Sequence, residues 1–388
     1  MIWINIFLFA VGLIMLIKGG DLFVDGASGI ARRFHLPELL IGATVVSIGT
    51  TLPEVMVSAQ GAMAGSGSMA YGNAIGSIIC NTSLIAALTI AIKPAKTERK
   101  ALILPVTFFF VAAVFYVFVA YFFGEFSRWV GITLLAMFVV YMISTVVQMK
   151  KTSPLEIDGL AETPPAIEEE PEAPKHASFL TLAIEALIVF VGGGIMIYRG
   201  GAFRWIAVAM IAVFVVYAAI TIARKLSKKE PLAMLNEIFF IVIGAAVIAG
   251  GANLLVDSGT AIAKDFGVPE TVIAITFVAL GTSLPELVTA ITALMKGHGA
   301  LSLGNIIGAN LFNLVLVSGV ATTISPFGVP SDSQLLGMPA SFLIDIPVML
   351  GVMLILTVPT LITKKLSRVQ GIVLLCIYAA FCTVQFVM

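Results

Sequence analysis

The sequence reads Gly49-Thr50-Thr51-Leu52-Pro53-Glu54 and, 232 positions later, Gly281-Thr282-Ser283-Leu284-Pro285-Glu286. Each hexapeptide places a helix-breaking proline, hydroxyl side chains and a carboxylate inside an apolar segment long enough to cross a bilayer. Polar and ionisable groups are costly at membrane depth, and they indicate a functional site by default. Two such groups at matching positions predict a binding site between internal repeats.

The composition is that of a membrane protein that crosses the bilayer many times. The 388 residues are 59% hydrophobic and 11% charged, whereas an average soluble domain carries about 25% charged residues. Lys plus Arg and Asp plus Glu both number 22, so the net charge gives no sign of a nucleic-acid partner. The cysteines all lie in apolar segments and predict no disulfide framework.

Twelve apolar windows have the length of a membrane-spanning helix, roughly 18–25 residues. They fall at about 2–24, 37–64, 70–92, 101–123, 129–148, 179–198, 203–223, 234–256, 269–295, 302–323, 337–361 and 369–388. The segment at 150–177, between the fifth and sixth windows, is acidic and rich in proline. Such a composition predicts a linker without a packed core.

The Lys and Arg residues predict the orientation in the membrane. One set of loops collects 17 of them: Arg32, Arg33, Lys93, Lys96, Arg99, Lys100, Lys150, Lys151, Lys175, Arg224, Lys225, Lys228, Lys229, Lys296, Lys364, Lys365 and Arg368. The other side holds Arg128, Arg199, Arg204 and Lys264. By the positive-inside rule the first side is cytoplasmic. We therefore expect a multi-pass protein of the cell (inner) membrane with both termini outside and the linker inside.

A constant offset of 232 residues relates the two halves of the chain. The matching pairs are Asp25 with Asp257, Pro37 with Pro269, Thr44 with Thr276, Gly72 with Gly304, Asn73 with Asn305, Gly76 with Gly308 and Asn81 with Asn313. We expect the two aspartates of the first pair to cap or hydrogen-bond at helix ends. Seven predicted crossings precede the second copy, so the copies are inverted relative to each other, and the substrate site of such folds lies near the midplane.

Two further helices separate the repeats. Residues 204–221 repeat residues 128–145 at an offset of 76, with eight of 18 positions identical. This similarity predicts a duplicated hairpin with a peripheral, structural role. The predicted fold is all-α: a first five-helix repeat at 1–149, the linker at 150–177, the inserted helix pair at 178–229 and a second five-helix repeat at 230–388, the repeats together forming a ten-helix core.

The spacing of polar residues, which is the same in both copies, brings oxygen atoms together. Residues four apart share a helix face, so Thr50 lies with Glu54, and Ser77 lies with Asn81. Proline has no N–H and clashes with the carbonyl four residues earlier; Pro53 therefore frees the Gly49 carbonyl. The second copy offers the corresponding atoms at Thr282, Glu286, Asn313 and Gly281.

This set of atoms suits hard cations. Ca²⁺ takes about 6–8 oxygen ligands from carboxylates, amides, carbonyls and water, and no convergent His or Cys cluster favours a softer metal. Glu54 and Glu286 supply the charge, Asn81 and Asn313 supply amide oxygens, and the threonines supply hydroxyls. One Ca²⁺, two Na⁺ or two protons neutralise two carboxylates equally well, and this competition is the physical basis of exchange.

The paired motifs resemble the α-repeats of the Ca²⁺/cation antiporter superfamily, and most of all those of prokaryotic sodium/calcium exchangers. The resemblance implies an antiporter core with alternating access by sliding of the helices at about 2–24 and 234–256. It also implies a Ca²⁺ site at Glu54, Glu286, Thr50 and Thr282. The Na⁺ sites that it implies draw on Ser77, Ser283 and carbonyls near Ser47 and Ala279.

Two departures from the family pattern concern ion choice. Some relatives carry Asp where this chain has Asn313, and Asp there accompanies K⁺ co-transport in one branch, so the resemblance implies exchange without K⁺. Ala309 stands where a serine would mirror Ser77, and one hydroxyl ligand of the Na⁺ sites is missing.

We predict export of Ca²⁺ driven by Na⁺, with Ca²⁺, Na⁺ and the lipid bilayer as partners and no resident cofactor. Ca²⁺/H⁺ exchange at the same carboxylates is the alternative, and a passive cation channel is a second. The sequence predicts no enzyme, because no nucleophile–base pair lies near the motifs. A single chain suffices for transport on this reading. The alternative to ion binding is a purely structural role: Glu54 and Glu286 would be buried structural carboxylates, and Asn81 and Asn313 would form interhelical hydrogen bonds.

Overall fold

A computed structural model describes residues 2–34, 36–63, 65, 67–94, 97, 99–151, 189–190, 194, 203–226, 233–265, 281, 283–330 and 334–387. Its α-helices are α1 (Ile2–Arg33), α2 (Glu38–Ile41), α3 (Ser47–Met63), α4 (Gly67–Cys80), α5 (Ala87–Ile92), α6 (Arg99–Phe123), α7 (Arg128–Lys151), α8 (Phe203–Leu226), α9 (Ala233–Asp265), α10 (Leu284–Met295), α11 (Gly299–Phe312), α12 (Ser318–Ile324), α13 (Ile346–Thr363) and α14 (Arg368–Val387). Four π-helical turns continue some of these helices, at Gly42–Val46, Asn81–Ala86, Asn313–Val317 and Ser341–Asp345.

Strands are confined to two short antiparallel pairs in the described part of the chain. Strand β1 (Glu125–Phe126) pairs antiparallel with β2 (Phe327–Gly328), so that Phe126 lies opposite Phe327. Strand β3 (Gln334–Leu335) pairs in the same way with β4 (Met338–Pro339).

Nine helical segments in the described ranges are long and apolar enough to cross a membrane. They are Ile2–Arg33, Glu38–Met63, Gly67–Ile92, Arg99–Phe123, Arg128–Met149, Met234–Gly259, Gly299–Ile324, Ser341–Thr363 and Arg368–Gln385. Each corresponds to one predicted window, which confirms a helical membrane protein. Helix α8 occupies the window at 203–223, while the windows at 179–198 and 269–295 and the linker fall wholly or partly outside the described residues. The twelve-helix count and the inverted repeats stay predictions.

The prediction that Asp25 and Asp257 lie at helix ends was wrong. Helix α1 continues past Asp25 to Arg33, and α9 continues past Asp257 to Asp265. Gly26, directly after Asp25, serves helix packing instead. A Cβ atom on Gly26 would lie only 2.6 Å from the Glu237 carbonyl oxygen. Tertiary contact with α9 thus carries α1 through a sequence of low helix propensity.

The described chain divides into two compact units. Unit 1 comprises Met1–Leu36 and Val146–Gly259, and unit 2 comprises Pro37–Thr145 and Thr260–Met388. In unit 1, α1 and α9 run along each other with glycines at their closest approaches: a Cβ on Gly12 would lie 2.9 Å from the Gly251 carbonyl oxygen. Arg33 on α1 makes two hydrogen bonds to the Glu237 carboxylate on α9, of 2.7 and 3.1 Å.

The second copy of the duplicated hairpin packs in unit 1. Tyr217 on α8 stacks on Phe239 of α9, with ring centroids 3.5 Å apart and planes 7° apart. Phe214 and Val189 join the same apolar cluster. The matching tyrosine of the first copy, Tyr141, is buried in unit 2, where its hydroxyl donates a 2.9 Å hydrogen bond to the Ala43 carbonyl.

Unit 2 surrounds α11, which is buried along nearly its whole length. Glycines on α11 and on the segment from Glu38 to Met63 allow the two backbones to approach each other closely. A Cβ on Gly308 would lie 2.6 Å from the Ala43 Cα atom, and one on Gly42 would lie 2.8 Å from the Asn305 nitrogen. Side chains larger than hydrogen at these positions would push the two segments apart.

Candidate ion-binding site

The two motif copies begin their helices differently. Pro53 lies inside the continuous helix α3, whereas Pro285 lies in the first turn of α10, which begins at Leu284 after Ser283. The two prolines therefore occupy equivalent positions in the sequence but different positions in their helices. In the first copy the proline removes a mid-helix donor, and in the second it occupies a position where no intrahelical donor is needed.

Four polar side chains form the centre of the site. Glu54 comes from α3 and Glu286 from α10, while Asn81 and Asn313 each open a π-helical turn. All four are fully buried, and none of their side-chain oxygens or nitrogens has a hydrogen-bond partner among the described residues. Native proteins satisfy nearly all buried polar groups, so these unpaired buried atoms indicate a place for a ligand.

The electrostatics of the two carboxylates favour neutralisation by a cation or by protons. The carboxylates of Glu54 and Glu286 are close enough to repel each other. In the described part of the chain the ion pairs are Lys18 with Asp21, Arg33 with Glu237, and His298 with Glu38, so neither carboxylate is paired with a basic side chain. Buried charges in proteins are paired or bind metal ions.

Hydroxyl groups surround the carboxylates. The hydroxyls of Thr50 and Thr51, on helix α3, lie beside the carboxylate of Glu286, on helix α10. Ser77 on α4 is buried at 4% exposure, and Ser283 at 2% lies beside the Cys80 thiol. The structure thus places the Thr50 hydroxyl near the Glu286 carboxylate, and Ser77 and Ser283 are buried.

Of the remaining predicted site residues, three are described by the structure and two are not. Ser47 is buried, and its hydroxyl oxygen lies 2.8 Å from the Gly42 carbonyl and 2.9 Å from the Asn305 carbonyl. Gly49 is half-buried and Gly281 is buried. Thr282 and Ala279 lie outside the described residues.

Two asparagines that were not predicted as site residues contact residues of the candidate site. Asn73 donates hydrogen bonds to the Glu54 carbonyl, 3.1 Å, and to the Ser58 hydroxyl, 2.8 Å. Asn305 accepts the Thr50 hydroxyl at 3.2 Å. The signal was present, because these residues occupy matching positions of the two copies. Their neighbouring glycines drew the interpretation toward helix packing instead.

The conformation of the backbone also repeats at the offset of the sequence. The π-helical turns at Asn81–Ala86 and Asn313–Val317 begin at positions 232 residues apart. A π-helical turn widens the helix, and such turns are frequent at functional sites. Both matching asparagines therefore enter the site from the same kind of distorted helix.

Comparison with known proteins gives the family. The family model described as "Sodium/calcium exchanger protein" matches residues 4–147 and 236–387. This chain belongs to the sodium/calcium exchanger family. The match contains both motif copies and all four central residues of the site, and it leaves aside 148–235, where the predicted linker and inserted helix pair lie.

Individual known proteins resemble the chain over most or all of its length. The sodium/calcium exchanger MaX1 of Methanosarcina acetivorans is 30% identical over 392 residues, covering 100% of this chain and 99% of that protein. The inner membrane protein YrbG of Escherichia coli is 30% identical over 319 residues, covering 82% and 79%. Among solved structures, that of the sodium-calcium exchanger NCX_Mj superposes with a TM-score of 0.67 at 26% identity, covering 98% of both chains.

Membership of the exchanger family makes this chain a multi-pass membrane transporter for cations including Ca²⁺. The predicted resemblance is thereby confirmed.

Proposed function

We propose that this protein exchanges Na⁺ for Ca²⁺ at the Glu54–Glu286 site by alternating access, and that it exports Ca²⁺ across the cell membrane. The observation that carries the proposal is the pair of fully buried carboxylates without a basic partner among the described residues. One Ca²⁺ or two Na⁺ restore neutrality there. A site left empty and charged would be costly to expose to the other side of a low-dielectric membrane.

The proposed Ca²⁺ ligands are Glu54, Glu286, Thr50 and Thr282, with Asn81 and Asn313 completing the oxygen shell. The proposed Na⁺ ligands are Ser77, Ser283 and the carbonyls near Ser47, Gly49, Ala279 and Gly281. The inverted-repeat architecture belongs to the same proposal, and the matching π-helical turns support it. The distribution of Lys and Arg supports cytoplasmic placement of the linker, and an inward Na⁺ gradient would drive Ca²⁺ export.

Transport in liposomes tests the driving ion. Purified protein is reconstituted into liposomes loaded with Na⁺, and the liposomes are diluted into Na⁺-free buffer with ⁴⁵Ca²⁺ at the same pH on both sides. We expect Ca²⁺ uptake that requires the Na⁺ gradient and saturates with Ca²⁺. Empty liposomes and the Glu286→Gln variant serve as controls.

The alternative, Ca²⁺/H⁺ exchange at the same carboxylates, makes the opposite prediction in this assay. Liposomes loaded with Na⁺-free acidic buffer and diluted into alkaline buffer would then accumulate Ca²⁺, and the Na⁺ gradient at constant pH would drive none. That result would overturn the Na⁺-driven proposal. Ca²⁺ flux without any counter-ion gradient and with single-channel currents in planar bilayers would favour a passive channel.

A further inference from the structure

We propose that the β3–β4 hairpin is a lipid anchor: its apolar tip inserts into the membrane–water interface beside the span Ser341–Thr363. The residues that form this tip are Leu335, Leu336 and Met338. The proposal concerns how the protein is held in the bilayer, and it does not depend on which ion drives exchange.

The turn of the hairpin holds a leucine in an unfavourable backbone conformation. Leu335 pairs with Met338, so the loop between the strands has two residues, Leu336 and Gly337. Their φ angles are 53° and 78°, with the positive sign that a type I′ turn requires at both positions, and Asn and Gly favour such a turn. In the left-handed region the Cβ atom of an ordinary residue is crowded against the following carbonyl. The leucine is therefore better explained by its side chain than by the turn.

That side chain points away from the rest of the protein. Leu336 is 90% exposed, more than any other large apolar residue in the described part of the chain. Leu335 and Met338 are also exposed, and they share one face of the hairpin because they lie directly opposite each other. The sequence from Gln334 to Ile344 contains no charged residue. The tip is thus an apolar surface, and its transfer out of water is favourable.

The hairpin is attached to the chain at the membrane surface. Pro339, the last residue of β4, precedes by two positions Ser341, where the span begins. Two steps between Cα atoms reach less than about 8 Å, and the headgroup region is about 5–8 Å deep on each side of the hydrocarbon core. The end of β4 therefore lies in or next to the headgroup layer.

Aromatic side chains at the end of α6 indicate the same depth. Tyr121 packs on Phe342 with ring centroids 4.8 Å apart, and its hydroxyl donates to the Phe342 carbonyl. The next two residues of α6, Phe122 and Phe123, are exposed. Aromatic residues are enriched at membrane–water interfaces. Leu336 precedes Phe342 by only six residues, so the lipid beside these aromatic rings is within reach of the hairpin tip.

Lys364 provides a matched control at the other end of the same span. It directly follows Thr363, it is exposed, and its φ of 56° is close to that of Leu336. A lysine at the end of a span keeps its charged head in water. The two positions therefore share their exposure and backbone conformation but should differ in the medium that surrounds them.

The test measures membrane depth with spin labels on the full chain. Single cysteines, Leu336→Cys, Lys364→Cys and Val114→Cys, are introduced into a background that carries Cys80→Ala, Cys376→Ala and Cys382→Ala. Each labelled protein is reconstituted into phosphatidylcholine vesicles. Power-saturation EPR then gives the accessibility of the label to O₂, which concentrates in lipid, and to a water-soluble nickel chelate. Val114, exposed on α6 well inside the span Arg99–Phe123, is the lipid reference.

We expect the ratio of O₂ to nickel accessibility at Leu336 to exceed that at Lys364 and to shift toward the value at Val114. Met338→Cys is labelled as a second tip position and decides the question if Leu336→Cys does not yield a monodisperse protein. A ratio at the tip no higher than that at Lys364 overturns the proposal, because the hairpin is then a water-exposed turn. Low accessibility to both reagents also overturns it, since protein then covers the tip; spin–spin broadening that disappears on dilution with unlabelled protein would identify the cover as a second copy of this chain.

Discussion

Replacing Glu54 by Gln tests the charge balance of the site. In the original protein, two buried carboxylates match the charge of one Ca²⁺; in the variant, bound Ca²⁺ leaves a net positive charge buried with no compensating partner. Removing one member of a buried ion pair costs about 3–5 kcal/mol. This corresponds to Ca²⁺ binding that is weaker by about 100- to 4,000-fold. Exchange should be abolished at Ca²⁺ concentrations that saturate the unchanged protein.

The sign of the stability change is the sharper part of this prediction. Without ions, Glu54→Gln removes the repulsion with Glu286 and the burial of one charge. The ion-free variant should therefore melt at a higher temperature than the ion-free original. Saturating Ca²⁺ should reverse the order, because a ligand present at about 100 times its Kd stabilises the folded state by about 2.7 kcal/mol, and only the original protein gains it.

Thermal melting in detergent, with Na⁺ replaced by choline and with either a chelator or Ca²⁺ present, measures both effects. Asp345→Asn is the control, since Asp345 is another carboxylate within a membrane-spanning segment but is bonded to Gln385 at 2.8 Å and lies outside the site. It should keep the full Ca²⁺ response. A Glu54→Gln protein whose melting temperature still rises with Ca²⁺ as the original does would refute the assignment of this carboxylate.

Three further changes test the surrounding structure. Gly308→Ala places a Cβ 2.6 Å from the Ala43 Cα atom and should lower the free energy of unfolding by about 1–3 kcal/mol, measured by thermal melting, whereas Gly351→Ala, which meets no described heavy atom within 4 Å, should not lower it. Glu237→Gln should lower the melting temperature by breaking the contact with Arg33, and the difference should shrink at high salt; a salt-independent difference would contradict an electrostatic origin. Ala309→Ser restores the hydroxyl that mirrors Ser77 and should lower the half-maximal Na⁺ concentration for Ca²⁺ uptake; an unchanged value would remove this position from the Na⁺ sites.

Much of the membrane fold could be predicted because the bilayer imposes a length on apolar helices. Nine predicted windows coincide with described spans. Helix ends were less predictable: Asp25 and its following glycines suggest a break, yet packing on α9 continues α1 to Arg33. The sequence carries no local sign of the neighbour that makes the glycines favourable there.

The central residues of the site could be predicted because their chemistry is conspicuous in an apolar chain. Glu54 and Glu286 stand out by charge, and the repeat offset adds Asn81 and Asn313. Asn73 and Asn305 are related by the same offset, but the sequence carries no sign of the contact between Asn305 and Thr50, which are 255 residues apart. The π-helical turns were equally hidden, because a single added residue per turn leaves no mark on an apolar periodicity.

The two copies share a sequence pattern but differ in the oxygens that they offer. At the offset of 232, Ser47, Ser58 and Ser77 correspond to Ala279, Ala290 and Ala309, whereas Val57 corresponds to Thr289, so the second copy lacks three of these hydroxyls and gains one. Both central carboxylates and both central asparagines are retained. Ca²⁺, which depends on charge, therefore meets a nearly symmetric site, whereas Na⁺, which depends on neutral oxygens, meets an asymmetric one. The contact between Asn305 and Thr50 lies on the hydroxyl-rich side. For that reason ion selectivity, and not exchange itself, is the property that the differences between the copies should control.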